Sequence, residues 1–580
     1  KFDFLGLKTL TVINRTQKLI NKKVKDFKIE DIDFDDQKVF ELLSSGNTVG
    51  LFQVESAGMR EALLQMKPNH IEDIIALVAL YRPGPMSNIP IYNDCKHGRQ
   101  TPDYLHPLLE DILKPTYGVI IYQEQVMQIA QKLSGFTAGE ADILRRAMGK
   151  KKRAELEKQK LGFIAGALKN GISKDVAASI FLKIEPFAEY GFNKSHAAAY
   201  AIISYQTAFL KTYYPKEFFA ASMTMDISNQ NKLGEFHEEL KRINIKVIRP
   251  DINKCFADFQ FDDNNFYYAL GGIKSVGYEA ISNVVKERNE NGDFKSINDF
   301  LNRVNPKDIN KLQLEGLVKA GAFDNIDNNR QALFNSIPNF ILKTKNIYEN
   351  KAANQIDLFG SDEEQDNEIV LNIEDWKFED RLSREFEAIG FFISDHPLNQ
   401  FKEIFDDYKI VDYAQFNLDD TIKEANIAAT LLKITERKTA KGNSYGVIKF
   451  TDLTSVFELF IFSDILELNR EALVEGSSLI ITLIKTISND ENRFKRINVQ
   501  KIASLKDLFN KPVNEIVFNI KSIKDIDKIS DLVNEEGTTE VKINITDKNN
   551  EISFKLKNKR LIDRKAINII RNKDISTTIH

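Results

Sequence analysis

The sequence predicts a multidomain α+β protein. We expect a mostly helical N-terminal part, a helix–hairpin–helix module, an oligonucleotide-binding (OB) type β-barrel and a small α/β domain at the C-terminal end. Three observations predict this class. The 580 residues exceed the size at which one hydrophobic core stops growing. Residues 122–225 carry apolar positions at helical spacing, and residues 426–505 alternate apolar and polar residues as β-strands do.

The amino-acid composition limits the classes of protein to which this chain can belong. Hydrophobic residues make up 42% and charged residues 28%, as in ordinary folded proteins. We find neither a run of eighteen apolar residues nor a basic-then-apolar leader, so no membrane span or signal peptide is predicted. Cys95 and Cys255 lie far apart, which argues against a disulfide scaffold or zinc site and favours a reducing cytoplasm. Because the chain opens with Lys1, we expect a piece of a longer protein.

Acidic residues near the start offer two candidate metal sites. Asp3 lies between two Phe residues, and an acid among apolar neighbours is often a ligand or a turn residue. Asp31, Asp33 and Asp35 alternate with apolar residues, which on a strand would place three carboxylates on one face. We favour the alternative, a turn whose last acid, Asp36, caps the helix QKVFELLSS.

A basic cluster covers residues 145–160. Eight Lys and Arg residues there face only Glu155 and Glu157, in a chain of net charge −4. A cation cluster in an acidic protein is typical of a polyanion site, although a solvated helix face is the alternative. The cluster is therefore a candidate polyanion-binding segment.

The start of this segment has helix signals. Thr137 and Glu140 have the spacing of a capping box. Arg145 and Arg146 then fall in the last turns of the helix, and Gly149 is a natural end.

Two other positions carry cations at element ends. Arg82-Pro83-Gly84-Pro85 predicts a rigid turn that begins with an Arg; the alternative is that the segment only ends a helix. Asn193, Lys194, Ser195 and His196 precede a long Ala- and Tyr-rich helix. A polar helix start suits phosphate binding, whereas capping by Asn193 or Ser195 is the alternative.

Residues 266–325 indicate a helix–hairpin–helix. LGGIKSVGYEAISNVVKER has Gly272 and Gly277 in the connecting turn, and LQLEGLVKAGAFDNI is similar to a second, degenerate hairpin. Glycines in such a turn let backbone N–H groups approach a nucleic-acid phosphate. An ordinary αα-corner that needs Gly for packing is the alternative.

Residues 343–380 are predicted to form a linker whose charge changes from basic to acidic. The linker contains the pentapeptide QIDLF, which is either a docking peptide or a chance apolar contact.

In the β-rich region that follows, Lys441-Gly442-Asn443 predicts a hairpin turn, and residues 464–473 predict a short helix. This fits an OB-type barrel, with a β-sandwich as the rival. Residues 514–575 are predicted to form secondary-structure elements in the order βαββα.

Several of these stretches together resemble the α subunits of bacterial DNA polymerase III, the replicative C-family polymerases. The resemblance covers essentially the whole chain. Its most specific blocks are residues 122–152 and 190–218, and the stretches that carry it are KFDFLGLKTLT, GLFQVESAGMR, ALYRPGPM, GVIIYQEQVMQIAQKLSGFTAGEADILRRAMGKK and YGFNKSHAAAYAIISYQTAFLKTYYPKEF.

The resemblance implies a C-terminal portion that lacks the PHP domain and most of the palm. The implied domains are residues 1–36, the end of the palm; 37–265, the fingers; 266–342, the helix–hairpin–helix region; 343–425, a linker with the clamp-binding peptide and a helical segment; 426–508, the OB-fold; and 512–580, a domain similar to the region that docks the clamp-loader τ subunit.

The implied activity is DNA-templated nucleotidyl transfer by two Mg²⁺ ions in chromosome replication. Of the three metal-binding carboxylates in the family, Asp3 alone is carried over, as a catalytic metal ligand. We therefore expect the chain by itself to be inactive.

The resemblance also implies site residues and partners. The implied partners are primer–template DNA, dNTP, the sliding clamp, the τ subunit and a proofreading exonuclease subunit. The implied nucleotide-binding residues are Lys1, Arg82, Arg145, Arg146, Lys150, Lys151, Lys194, Ser195 and His196; the DNA-binding residues are Gly272, Lys274, Gly277, Lys449 and Phe457; and the clamp-binding residues are Gln355, Asp357, Leu358 and Phe359.

Two other functions remain open. The first is a non-catalytic DNA-binding or clamp-tethering protein, which would have no reason to keep both Asp3 and the RRAMGKK block. The second is the lesion-tolerant, error-prone branch of the same family. A clamp-binding pentapeptide such as QIDLF favours the replicative branch.

Overall fold

The computed structural model describes residues 6–149, 153–352, 370–439, 442, 444–487, 495–511, 513–530, 533–547, 550–562, 567, 570 and 575–579. The chain forms two compact units. The first comprises Lys1–Ile248 and Asp258–Ala269, and the second comprises Arg249–Ala257 and Leu270–His580. The predicted boundary between residues 265 and 266 therefore falls inside a segment of the first unit.

The first unit is mainly helical. Its strands are short: β3 (Phe266–Tyr267) pairs in parallel with β1 (Val247–Ile248) and antiparallel with β2 (Gln260–Phe261). The helices are α1 (Lys8–Ile20), α2 (Gln37–Ser44), α3 (Ala57–Met66), α4 (Ile71–Leu80), α5 (Ile89–Lys96), α6 (Glu110–Leu113), α7 (Gln123–Ser134), α8 (Ala138–Gly149), α9 (Arg153–Lys169), α10 (Lys174–Tyr190), α11 (Lys194–Tyr213), α12 (Pro215–Met225) and α13 (Gln230–Arg242), and the strands are β1 (Val247–Ile248), β2 (Gln260–Phe261) and β3 (Phe266–Tyr267).

Local capping signals define several of these helices. Asp36 caps α2 and accepts a hydrogen bond from the Val39 N–H, so the capping interpretation of the acidic cluster is confirmed. Glu140 accepts from the Thr137 N–H at 2.8 Å, and the Glu140 N–H donates to the Thr137 hydroxyl at 3.3 Å. The predicted capping box of α8 is thus confirmed.

Two helical groups make up the first unit. The long helix α11 packs against α1, α2, α4 and α12. Helices α7 to α10 enclose a core of their own, in which Leu144, Phe163, Phe181 and Ile184 are fully buried. Burying each such side chain stabilises the fold by about 1.5–3 kcal/mol.

The second unit begins with helices and continues with two sheets. Its helices are α14 (Tyr278–Asn291), α15 (Ile297–Arg303), α16 (Lys311–Lys319), α17 (Arg330–Ala352), α18 (Phe378–Ile389), α19 (Tyr413–Leu418), α20 (Ser463–Leu468), α21 (Leu505–Asn510) and α22 (Asp527–Ser530), and its strands are β4 (Glu424–Lys438), β5 (Ser444–Thr451), β6 (Val456–Phe462), β7 (Ser478–Ile487), β8 (Lys495–Ser504), β9 (Glu515–Ile520), β10 (Glu536–Asp547), β11 (Asn550–Lys555) and β12 (Ser576–Ile579).

The two sheets differ in topology. The five-stranded sheet is antiparallel throughout in the order β6-β5-β4-β7-β8, with α20 between β6 and β7. The four-stranded sheet has the order β11-β10-β9-β12, in which only β9 and β10 run parallel. The predicted multidomain α+β class is therefore confirmed.

The structure corrects two element boundaries. The helix predicted over 464–473 ends at Leu468, because the side chain of Asn469 donates to the Ile465 carbonyl at 2.8 Å and closes the last turn. The predicted linker begins inside a helix, because α17 continues to Ala352.

The segment before α18 packs back onto α17. The Leu371 N–H donates to the Ser336 hydroxyl at 2.9 Å, and the indole ring of Trp376 lies 5.5 Å from the Phe334 ring. In the part of the chain that the structure describes, none of the helices has the length and apolar character to cross a membrane.

Candidate functional site

A parallel β-bridge joins two segments that are 70 residues apart in the sequence, at Tyr122 and Phe192. The Gln123 N–H donates to the Phe192 carbonyl at 2.9 Å, and the Phe192 N–H donates to the Ile121 carbonyl at 3.0 Å. Helix α7 begins at Gln123 and helix α11 at Lys194. Because the bridge is parallel, the N-terminal ends of both helices lie side by side.

Arg82 packs on one side of this bridge. Its guanidinium carbon lies 4.4 Å from the centroid of the Phe192 ring, a cation–π contact. The Nε donates to the Ala79 carbonyl at 2.9 Å, which fixes the side chain in the turn after α4. Partial burial lowers the pKa of Arg82 from its usual value.

His196 contacts two aromatic rings, one of which is Phe192. The imidazole centroid lies 5.4 Å from that of Phe192 and 4.6 Å from that of Tyr200. The predicted nucleotide-binding residues Arg82 and His196, from distant parts of the sequence, therefore contact the same Phe192 ring.

Lys194 lies over the other half of the bridge. Its Nζ is 3.1 Å from a carboxylate oxygen of Glu72 and 5.3 Å from the centroid of the Tyr122 ring. Burial, followed by the nearby charge of Glu72, raises the pKa of the Tyr122 phenol, which keeps the phenol neutral. We call Arg82, Tyr122, Phe192, Lys194 and His196 the bridge cluster.

The start of α11 is capped by protein groups. The Asn193 side chain accepts from the His196 N–H at 2.9 Å, so capping by Asn193 is confirmed. Glu124 accepts from the Lys194 N–H at 3.0 Å and from the Asn193 side-chain amide at 2.8 Å. Ser195 lies exposed in the first turn.

The two arginines of α8 have different surroundings. Arg145 donates to the side chain of Gln123 at 3.2 Å and to Asp142, and its side chain is 31% exposed. Arg146 forms an ion pair with Asp142 and is 64% exposed. Hydrogen bonds from Arg146 and then Arg145 lower the pKa of Asp142. Arg145 is therefore linked to the bridge cluster through Gln123.

Sequence reasoning missed Glu72, Tyr122, Glu124 and Phe192. A usable signal was their position, since three of them stand at or beside the starts of α7 and α11. The predicted contacts Lys1, Asp3, Lys150 and Lys151 lie outside the described residues. Among the described residues no group of three or more His, Cys, Asp or Glu side chains is placed to hold a metal ion.

The hairpin turn before α14 exposes a lysine. Lys274, Ser275 and Gly277 are exposed, and Ser275 has a φ of +67°. Gly272 is buried in the preceding turn, so the structure argues against the predicted phosphate contact there. The packing alternative holds for the second hairpin, where a Cβ on Gly316 would lie 2.7 Å from the Lys274 carbonyl.

The burial of Phe457 argues against its predicted DNA contact. Phe457 is 7% exposed in the core of the five-stranded sheet, and its ring stacks on Tyr413 with a centroid distance of 3.8 Å. Strand β6 alternates buried and exposed residues, and Phe457 is on the inner face. Lys449, the other predicted contact, is half-buried and pairs in register with the exposed Glu458.

Two of the outward residues of β6 are aromatic. Phe460 is 56% exposed and Phe462 is 49% exposed. Tyr445 lies opposite Phe462 in register, with its ring 6.5 Å from that of Phe460. The guanidinium of Arg496 lies 5.9 Å from the centroid of Phe462. We call Tyr445, Phe460, Phe462 and Arg496 the barrel platform.

Two family models match the chain. The model for the bacterial DNA polymerase III alpha subunit finger domain matches residues 9–171, which include α7, α8 and half of the bridge. The model for a helix-hairpin-helix motif matches residues 244–333, which include the exposed turn before α14.

Curated relatives match over most of the chain. The DNA polymerase III subunit alpha of Caulobacter vibrioides is 43% identical over 85% of this chain and 43% of its own length. The corresponding protein of Borreliella burgdorferi is 40% identical over 92% of this chain and 46% of its own length. That of Campylobacter jejuni is 43% identical over 80% of this chain and 40% of its own length. The chain, which spans about half the length of these relatives, belongs to the family of bacterial DNA polymerase III α subunits.

Proposed function

We propose that this chain is part of a DNA-directed DNA polymerase of chromosome replication, and that it binds the incoming nucleotide and holds the DNA. The observation that carries the proposal is the convergence of Arg82, Lys194 and His196 on one β-bridge, with Arg145 attached through Gln123. The relatives carry the name DNA polymerase III subunit alpha.

The chemistry of the bridge cluster suits a triphosphate. Arg82 offers a planar, permanently charged donor set, and Lys194 a compact ammonium. Arg82 is anchored by a ring and a backbone carbonyl, and Lys194 by a ring and a carboxylate, so both are oriented before the ligand arrives. Donors that are already oriented stabilise the charge that grows on the leaving pyrophosphate.

The metal chemistry has a separate source. The resemblance assigns two Mg²⁺ ions to the complete palm, with Asp3 as one ligand, whereas the described residues supply cations for the phosphates. The expectation that this chain alone does not extend a primer stays a prediction.

The turn before α14 is proposed to hold duplex DNA. The exposed Lys274 and Gly277 are suited to phosphate contacts, which fix the position of DNA without reading its sequence. The match to a helix-hairpin-helix model supports this role.

The five-stranded sheet is proposed to be an OB-type barrel that binds single-stranded template. Its strand order and the helix α20 between the third and fourth strands support this class. We propose that the barrel platform stacks the bases, in place of Phe457, with Lys449 beside it. Stacking on aromatic rings tolerates any base sequence.

The docking partners remain proposals. QIDLF, with Gln355, Asp357, Leu358 and Phe359, lies outside the described residues and is proposed to bind the sliding clamp. Leu358→Ala with Phe359→Ala should abolish binding of the clamp in surface plasmon resonance, and unchanged affinity would refute this role.

The C-terminal sheet is proposed to bind the τ subunit. An exonuclease subunit is proposed as a further partner, and the cytoplasm as the location of the protein.

The proposal is tested in the full-length polymerase subunit that carries this chain. Arg82→Ala or Lys194→Ala should raise KM for dNTP about 10- to 100-fold, the value of one hydrogen bond to a charged group. A normal KM in both variants would contradict nucleotide binding by the bridge cluster. Failure of the unchanged full-length subunit to extend a primer would instead favour the non-catalytic DNA-binding protein. The error-prone branch would instead show extension past a template lesion at a rate close to that on undamaged DNA.

A further inference from the structure

Two carboxylates lie beside the bridge cluster, where an anion is expected to bind. Glu72 contacts the ammonium of Lys194, and Glu124 contacts the backbone and the cap of α11. A carboxylate this close to a bound phosphate would repel it, because both groups are negatively charged. Their presence therefore needs a reason beyond the charge of the cluster.

Glu124 binds groups that a phosphate does not need to displace. One of its oxygens accepts from the Lys194 N–H at 3.0 Å, and the other accepts from the Asn193 side-chain amide at 2.8 Å. Both partners belong to the segment that enters α11, while Glu124 itself lies in the first turn of α7. Glu124 thus ties the two helix starts together beside the bridge.

Glu72 binds the group that a phosphate would take. Its oxygens lie 3.1 and 3.3 Å from the Lys194 Nζ. The side chains of Lys194 and Glu72 are 38% and 35% exposed, so a ligand can reach the ammonium. An anion that approaches Lys194 competes with Glu72 for the same charge.

We propose that Glu72 and Glu124 act in opposite directions on nucleotide binding, which rests on the proposed function. Glu124 is a positioning residue that holds Lys194 and the start of α11 in place. Glu72 is a built-in competitor that holds the ammonium of Lys194 until the triphosphate of the nucleotide displaces it. The competition weakens the binding of every nucleotide equally and so favours dissociation of the nucleotide.

The test is steady-state primer extension by the full-length polymerase subunit with Glu72→Gln, Glu124→Ala and Lys194→Ala. Glu72→Gln should lower KM for dNTP about two- to five-fold, the range that a partly exposed ion pair allows. Glu124→Ala should raise KM by more than that, with a smaller change in kcat. In the Lys194→Ala background, Glu72→Gln should have no further effect on KM.

A matched control and a second variant guard against nonspecific effects. Glu379 also lies in the first turn of its helix and pairs with a lysine, Lys506, at 2.6 Å, so Glu379→Gln should leave KM for dNTP unchanged. Glu72→Asp keeps the charge at the start of α4 but shortens the side chain, and it should shift KM in the same direction as Glu72→Gln.

The outcomes separate two failures. If Lys194→Ala leaves KM for dNTP unchanged, the proposed function fails at this site. If Lys194→Ala raises KM but Glu72→Gln raises it or leaves it unchanged, the competitor role is wrong. An equal effect of Glu72→Gln with and without Lys194 would also contradict it, and a normal KM in Glu124→Ala would refute the positioning role.

Discussion

The bridge cluster and the barrel platform combine the same residue types in different ways. In the bridge cluster, Arg82 packs on Phe192, and Lys194 lies between Tyr122 and Glu72. In the barrel platform, the rings of Phe460 and Phe462 are about half exposed, and a single guanidinium lies over the edge of the stack. The aromatic rings of the first region orient cations, whereas those of the second are open surfaces.

This difference suggests a difference in ligand. A cation held by a ring and a carboxylate has a fixed direction, which suits a small anion of defined geometry. Exposed rings on a strand suit a flexible polymer whose bases stack without a preference for sequence. Mutations in the two regions should therefore weaken the binding of different ligands.

The largest effect is expected from removing both anchored cations. The double change Arg82→Ala and Lys194→Ala should raise KM for dNTP about 100-fold or more, because each lost charged hydrogen bond costs about 1.5–3 kcal/mol. Primer-extension kinetics on the full-length subunit would measure it. The affinity of the same variant for single-stranded DNA should stay normal; a parallel loss there would show that the two regions do not have separate ligands.

A smaller effect is expected at the barrel platform. Phe460→Ala should weaken the binding of a single-stranded oligonucleotide to this chain about 5- to 100-fold, since stacking contributes about 1–3 kcal/mol per base. Fluorescence anisotropy would give the Kd.

The matched control for Phe460 is its inward neighbour on the same strand. Phe457→Leu should lower the melting temperature, because it removes a stacked core ring, and should leave the Kd nearly unchanged. If Phe457→Leu weakened binding and Phe460→Ala did not, the outer face of the sheet would not be the DNA-binding face.

A weaker effect is expected at the turn before α14. Lys274→Ala should weaken the binding of duplex DNA a few-fold for every sequence and reduce the slope of log K against log salt concentration by about one. A titration from low to moderate salt would measure the slope. An unchanged slope would mean that Lys274 does not contact a phosphate.

Local features of the fold could be read from the sequence, because their partners are three residues apart. The Asp36 cap and the Thr137–Glu140 capping box are of this kind. The Tyr122–Phe192 bridge was not predictable, since its pairing depends on tertiary packing between segments 70 residues apart. Alternation alone could not tell the inner residue Phe457 from the outer aromatic residues of VFELFIF, because both faces of β6 carry apolar side chains.

The candidate site was predicted by residue type and not by arrangement. Arg82, Lys194 and His196 could be singled out because each stands at the end of a helix or in a turn. Their carboxylate partners stand in the first turns of α4 and α7, but that position alone does not say which side chains they contact. The contacts of Glu72 and Glu124 depend on the packing of α4, α7 and α11, which single-sequence patterns do not reveal.

The smallest effect separates the two neighbouring arginines of α8. Arg145 is 31% exposed and bonded to Gln123, which itself donates to the Phe192 carbonyl through its N–H, whereas Arg146 is 64% exposed and shares Asp142. Arg145→Ala should therefore raise KM for dNTP several-fold more than Arg146→Ala, because it loosens the bridge as well as removing a charge. Primer-extension kinetics on the two variants would measure the ratio of the two KM values.

Lysine in place of Arg145 keeps the charge but loses the planar donor set that reaches both Gln123 and Asp142, so Arg145→Lys should resemble Arg145→Ala. Full recovery by Arg145→Lys would show that charge alone matters at this position, and the anchored cations would then differ less from the open platform than their geometry indicates.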